Sequence, residues 1–218
     1  MLKKLIAVCA LTAVSVCQSL HAETDSNTTM LTNTCVACHG NEGNSNGPAI
    51  PNIAGLSPIY FIGAMLAYKY EDEDQLLEII DGDVDFEDVE AFPRYSTIMG
   101  RIAKGYTEEE IKLMAEYFSA KEVVRPAQAF DVTMAADGKK LHEKYCEKCH
   151  ENEGRSADDD TGVLAGQWQP YFLYSMHDFS NGARAMPKKM KKTLDEISST
   201  VGHTGIEQLA HYYASIQD

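Results

Sequence analysis

One pentapeptide pattern occurs twice and constrains everything else. Cys35-Val36-Ala37-Cys38-His39 returns 111 residues later as Cys146-Glu147-Lys148-Cys149-His150. The agreement continues at the same offset: Ala54-Gly55 meets Ala165-Gly166, Tyr60-Phe61 meets Tyr171-Phe172, and Met65 meets Met176. Further on the spacing shifts, yet Leu113-Met114-Ala115-Glu116-Tyr117-Phe118 still resembles Gln208-Leu209-Ala210-His211-Tyr212-Tyr213. Chance does not repeat so many identities at one offset. The 218 residues accommodate two domains of roughly 100 residues each. The expected boundaries are 23–125 and 126–218, joined across 121–130, where Pro126 interrupts any helix.

The local patterns are helical. Thr107 with Glu110, and Thr204 with Glu207, have the spacing of a capping box, and each precedes apolar residues at helical intervals. Ala135 to Cys149 reads as a helix running into the second motif, with matching helices at Ile59 to Tyr70 and Gln169 to Phe179. No strand alternation is apparent, so both domains are expected to be all-α. The first also carries a segment absent from the second, about 70–94, rich in Asp and Glu. Its Asp81, Asp83 and Asp85 imitate a calcium loop. Phe86 stands where that loop needs glycine, and Phe92 where it needs a bidentate Glu, so a solvated surface loop is the expectation.

C-x-x-C-H is the attachment pattern for c-type haem. Each pair of thiols becomes two thioethers to one porphyrin edge, and the adjacent histidine supplies an axial nitrogen. Cys35, Cys38 and His39 would hold one haem; Cys146, Cys149 and His150 the other. A thioredoxin-like CxxC needs a βαβ context that is absent, zinc sites use far shorter loops between pairs, and a disulfide needs no histidine. A methionine sixth ligand raises the potential and closes the iron to substrates. Met99, in Ser96-Thr97-Ile98-Met99-Gly100-Arg101, is the candidate in the first half, against a plain core role. Met190 and Met186 compete in the second. Met99 lies 16 residues before Ala115; Met190 lies 20 before the equivalent Ala210 and Met186 lies 24, which favours Met190 and leaves Met186 as second choice. His142, His177, His203 and His211 read as ordinary surface or supporting histidines. Gly47-Pro48 is the expected source of a carbonyl for the axial His39, and Tyr60, Tyr171, Trp168 and Phe172 are candidates to pack on haem.

The first 22 residues have a basic start at Lys3-Lys4, an apolar run too short to span a bilayer, and small Ala22 at the expected cut. This predicts export to the periplasm, with Cys9 and Cys17 lost with the signal peptide and no membrane span afterwards. Formal charge is −14, with 33 acidic against 19 basic side chains, which argues against nucleic acid and anionic membranes as partners.

Beyond these motifs the chain resembles the dihaem cytochrome subunits of flavocytochrome c sulfide dehydrogenases and, more broadly, the two-domain cytochrome c4 group. The matching phrases are Met30-Leu31-Thr32-Asn33, Ser96 through Tyr106, Lys140 through His150, and Leu164-Ala165-Gly166-Gln167-Trp168 with Pro170-Tyr171. The resemblance implies two tandem class I cytochrome c domains and two covalently bound haems c. It implies an FAD-containing partner subunit that oxidises sulfide, and a soluble electron acceptor such as another cytochrome c. Met99 and Met190 would be the axial methionines, with Lys188-Lys189-Met190 matching the family's own phrase. This chain would contribute no acid, base or nucleophile. The acidic segment at 70–94 departs from the family pattern.

Overall fold

Phe61 and Phe118 stack at 5.6 Å between ring centroids, and Phe172 meets Tyr213 at 5.3 Å. These pairs, equivalent under the duplication, mark the centres of two separate cores. The computed structural model describes residues 28–158 and 161–218; the expected signal peptide and Asp159-Asp160 lie outside the described residues. In the first half, α1 covers residues 28–39, followed by α2 Pro58–Lys69, α3 Glu73–Gly82, α4 Met99–Ala103 and α5 Glu108–Ser119. The second half contains α6 Val132–Leu141, the turn α7 Glu151–Gly154, α8 Gln169–Asn181, α9 Lys188–Val201 and α10 Thr204–Ser215. Among the described residues β pairing is limited to one isolated antiparallel bridge, Arg94 with Arg184.

The first core joins Phe61, Met65 and Leu66 of α2 to Ile111, Met114 and Phe118 of α5. The second joins Phe172 of α8 to Ile197 of α9 and Leu209, Tyr212 and Tyr213 of α10. There α6 crosses α10 at Gly138, where a side chain would collide with the Gln208 carbonyl.

The duplication is visible in the backbone hydrogen bonds. Ile53 N and Ala54 N both donate to Gly43 O, at 2.8 and 3.2 Å; Leu164 N and Ala165 N both donate to Gly154 O at 2.9 Å. Gly55 N donates to Phe118 O, and Gly166 N to Tyr213 O. Gly43 (φ +85°) and Gly154 (φ +80°) occupy the left-handed region, which a side chain would strain. Between α5 and α6 the chain runs without helix, and Asp131 caps α6 by accepting from Met134 N at 2.8 Å.

Two expectations need correction. The acidic segment is not merely a solvated loop: α3 buries Leu76 and Ile80, and the 3₁₀ turn Val84–Phe86 buries Phe86 completely. Each such side chain contributes about 1.5–3 kcal/mol, enough to fold a segment whose other face is charged. Lys112 of α5 ties it down, reaching Asp83 at 3.2 Å and Asp85 at 2.7 Å. Thr107 does form the full capping box with Glu110, but Thr204 is already the first residue of α10, and His203 before it makes no side-chain cap.

Candidate functional site

Cys35, Cys38 and His39 occupy the last turn of α1. His39 is buried, and its Nδ1 lies 2.9 Å from the Pro51 carbonyl. A carbonyl can only accept, so Nδ1–H donates and Nε2 is the nitrogen left to coordinate a metal. The acceptor is therefore Pro51 rather than Gly47-Pro48. The sequence had no signal for this, because the carbonyl is placed by the return of the loop. Burial lowers the pKa of His39, partly offset by the Pro51 bond, which favours the neutral imidazole that ligation needs.

The second motif is reached through a π turn, His142–Cys146, closed by Glu147 N donating to His142 O at 2.9 Å. His150 N then donates to Cys146 O at 2.9 Å. None of Cys35, Cys38, Cys146 and Cys149 is in a disulfide. In each pair the first cysteine is half-buried and the second exposed. Desolvation raises the Cys35 thiol and pushes Cys146 up to about 11. Among the described residues no group of three or more His, Cys, Asp or Glu lies close enough together to hold a metal ion. The two thiol pairs, each beside a histidine, fit one porphyrin each.

Met99 opens α4, its N–H donating to Ser96 Oγ at 3.1 Å, and it packs against the first core. Met190 is the third residue of α9, on the face that carries Leu194 and the fully buried Ile197. The Arg94–Arg184 bridge gives an independent register between the halves: Ala185 N donates to Pro93 O at 2.8 Å and Tyr95 N to Ala183 O at 3.4 Å. Met99 lies five residues after Arg94. Met190 lies six after Arg184 and Met186 two.

The two halves meet along a polar seam. Gln167 pairs reciprocally with the Asn52 backbone, at 2.9 and 3.1 Å. Trp168 Nε1 donates to Ser45 O at 3.0 Å, and its ring lies against Gly47. Arg184 donates to the Tyr60 hydroxyl at 3.1 Å. Burial pushes that hydroxyl up, but Arg184 and Arg94 outweigh it and bring Tyr60 down to about 7. Tyr60 and Trp168 are thus seam residues, and Phe172 belongs to the second core. The sequence reading missed Arg94 and Arg184, which lie outside the constant-offset stretch. Of the two roles left open for His142, surface or supporting, the structure excludes the first, since it is fully buried.

Comparison with known proteins gives two family matches, "Cytochrome c" over residues 25–120 and "Cytochrome C oxidase, cbb3-type, subunit III" over 133–198. The chain is 40% identical over 95 residues to the cytochrome subunit of sulfide dehydrogenase of Chlorobaculum tepidum, covering 44% of this chain and 66% of that one. It is 29% identical over 89 residues to cytochrome c-554(548) of Halomonas halodenitrificans, covering 41% and 86%. The fold matches reduced cytochrome c4 of Pseudomonas stutzeri with a TM-score of 0.67 at 22% identity, over 88% of this chain and 97% of that one. It also matches thiosulfate dehydrogenase TsdBA of Marichromatium purpuratum, at 0.60 and 22%, over 83% and 36%.

Proposed function

We propose that this chain, whose first half matches the cytochrome c model and whose second matches the cbb3-type oxidase subunit III model, is a dihaem electron-transfer cytochrome that serves a sulfide-oxidising flavoprotein. The 40% identity to a cytochrome subunit of sulfide dehydrogenase carries that reading. Sulfide would be oxidised at FAD on a separate subunit, and the electrons would leave through this chain to a soluble acceptor such as another cytochrome c. Export to the periplasm by residues 1–22 belongs to the same proposal.

Cys35 and Cys38, and Cys146 and Cys149, would carry the thioethers; His39 and His150 would each supply a nitrogen to the iron, and Met99 and Met190 a sulfur. Haem supplies the one-electron chemistry when bound. What this chain supplies is position and environment. Pro51 fixes the His39 ring, the apolar walls built by α2, α5, α8 and α10 exclude water, and the Gln167–Asn52 and Arg184–Tyr60 contacts hold the two halves in one arrangement.

Size-exclusion of the exported native protein, with visible spectra across the peak, tests the assignment. Two haems per chain travelling with a flavin and reduced on adding sulfide is the expected result. A lone dihaem protein that sulfide leaves oxidised would favour a free carrier, the reading that the full-length likeness to cytochrome c4 supports.

A further inference from the structure

The surfaces beside the two motifs differ in charge. At the second, Lys144 and Lys148 are exposed, and Lys148 stands next to the exposed Cys149. The π turn His142–Cys146 packs against α9, whose first residues add four more exposed cations, Lys188, Lys189, Lys191 and Lys192. These four flank Met190 in the chain. At the offset of 111 the first half has Asn33 and Ala37 in place of Lys144 and Lys148, and around Met99 it exposes Tyr95, Ile98 and Ile102. One motif is bordered by neutral and apolar side chains, the other by lysines.

These lysines are mostly unspent within the chain. Lys191 pairs with Asp195 at 3.1 Å; among the described residues the other five form no ion pair. Residues 179–194 contain no Asp or Glu. Glu147, beside Lys148, is already bonded to His142 and to the Asn152 and Glu153 amides. Counted with Glu143, Glu147, Asp195 and Glu196, the patch is still positive, on a chain whose formal charge is −14.

Helix stability does not explain the arrangement. A helix N-terminus carries partial positive charge and favours acids in its first turn. The other charged helices obey this: α3 opens with Glu73-Asp74 and α5 with Glu108-Glu109-Glu110. By contrast α9 opens with Lys188-Lys189 behind Pro187, with no acid in its first turn and no side-chain cap. Solubility does not explain it either, because cations bring an acidic chain closer to neutrality.

We propose that this lysine face of the second half is where an acidic electron-accepting protein docks. It rests on the electron-transfer reading above, and adds to it the exit face and the charge of the acceptor. The acidic remainder of the chain repels such a partner in most orientations, so productive encounters are confined to one face. An anionic membrane fits less well. A helix that lies on lipid needs apolar side chains to insert beside its lysines, and α9 exposes no large hydrophobic residue.

The test follows oxidation of the fully reduced holoprotein by stopped flow, with an acidic plastocyanin as acceptor, one electron converting each Cu(II) to Cu(I). Wild type is compared with the triple variant Lys188→Gln, Lys189→Gln, Lys192→Gln, and with Lys104→Gln in the first half. All four positions are exposed and Gln matches Lys in helix preference, so the fold is retained. At an ionic strength of about 10 mM the bimolecular rate constant should fall about tenfold in the triple variant and change less than about twofold in Lys104→Gln. The wild-type rate should also fall as salt is added, the reverse of what two net-negative proteins give without a docking face. A wild-type rate that rises with salt, equal rates in wild type and triple variant, or oxidation by hexacyanoferrate(III) but not by plastocyanin would overturn the docking face. So would vesicles containing phosphatidylglycerol that bind wild type and not the triple variant, which would assign the lysines to a membrane. Fewer than two haems per chain, or no electron passed to either oxidant, would instead sink the electron-transfer reading on which the proposal rests.

Discussion

The guanidinium of Arg184, from the second half, donates to the hydroxyl of Tyr60, from the first, at 3.1 Å. Arg94 faces the same hydroxyl from its own half. With two cations beside it, Tyr60 ionises near 7 although burial opposes this, well below the ordinary value of 10. A group with a lowered folded pKa adds stability that is complete above its unfolded value and disappears as pH falls through the folded one. Stability of the holoprotein to denaturant should therefore rise between about pH 7 and 10. Arg184→Met should flatten that rise, as read from chemical denaturation at a series of pH values.

Gly47 lies against the ring of Trp168 across the seam, with φ +60°. Gly47→Ala adds a methyl where the indole already is and strains the backbone as well. Overpacking of this kind costs about 1–3 kcal/mol. The expected outcome is a loss of that size in denaturation, with altered emission from Trp168, the chain's one tryptophan. Unchanged stability and emission would mean that the seam does not form as described.

Thr107 and Thr204 look alike in sequence and differ in structure. Thr107 Oγ1 accepts from Glu110 N at 3.2 Å, and Glu110 answers by accepting from Thr107 N at 2.8 Å. Thr204 lies inside α10 and makes no cap. Thr107→Ala should cost about 1 kcal/mol, and Thr204→Ala only a few tenths. Parallel denaturation of the two variants checks this, with equal losses as the contrary result.

If Met99 and Met190 are axial ligands, Met99→Leu and Met190→Leu should each lower one of the two reduction potentials and leave the other, because methionine ligation raises it. Met186→Leu should leave both close to their wild-type positions. Potentiometry with electron paramagnetic resonance of the oxidised protein separates the cases. A ligand change on Met186→Leu in place of Met190→Leu would reverse the assignment.

Much of this protein could be read before any coordinates. The two CxxCH pentapeptides are short and covalent in consequence, so five neighbouring residues contain the whole message. The repeated Ala-Gly corners, the Thr107 capping box and the period of the helices are also local. Each depends on residues within a few positions of one another, and that nearness makes them legible. The constant offset of 111 then implied two like domains without any fold being known.

What tertiary structure decided is everything that joins residues far apart in the chain. Pro51 serves His39 only because a loop returns beneath α1. Arg94 meets Arg184, and Trp168 meets Ser45, only when the halves are packed together. The acidic segment reads as surface by composition, yet Leu76, Ile80 and Phe86 find a core and fold it. His142 reads as one more histidine until α10 brings Tyr213 over it and the motif brings Glu147 beneath. Composition reports what a side chain can do in water. Burial and a distant partner decide what it does here, because desolvation makes each unpaired polar group expensive and each satisfied one specific.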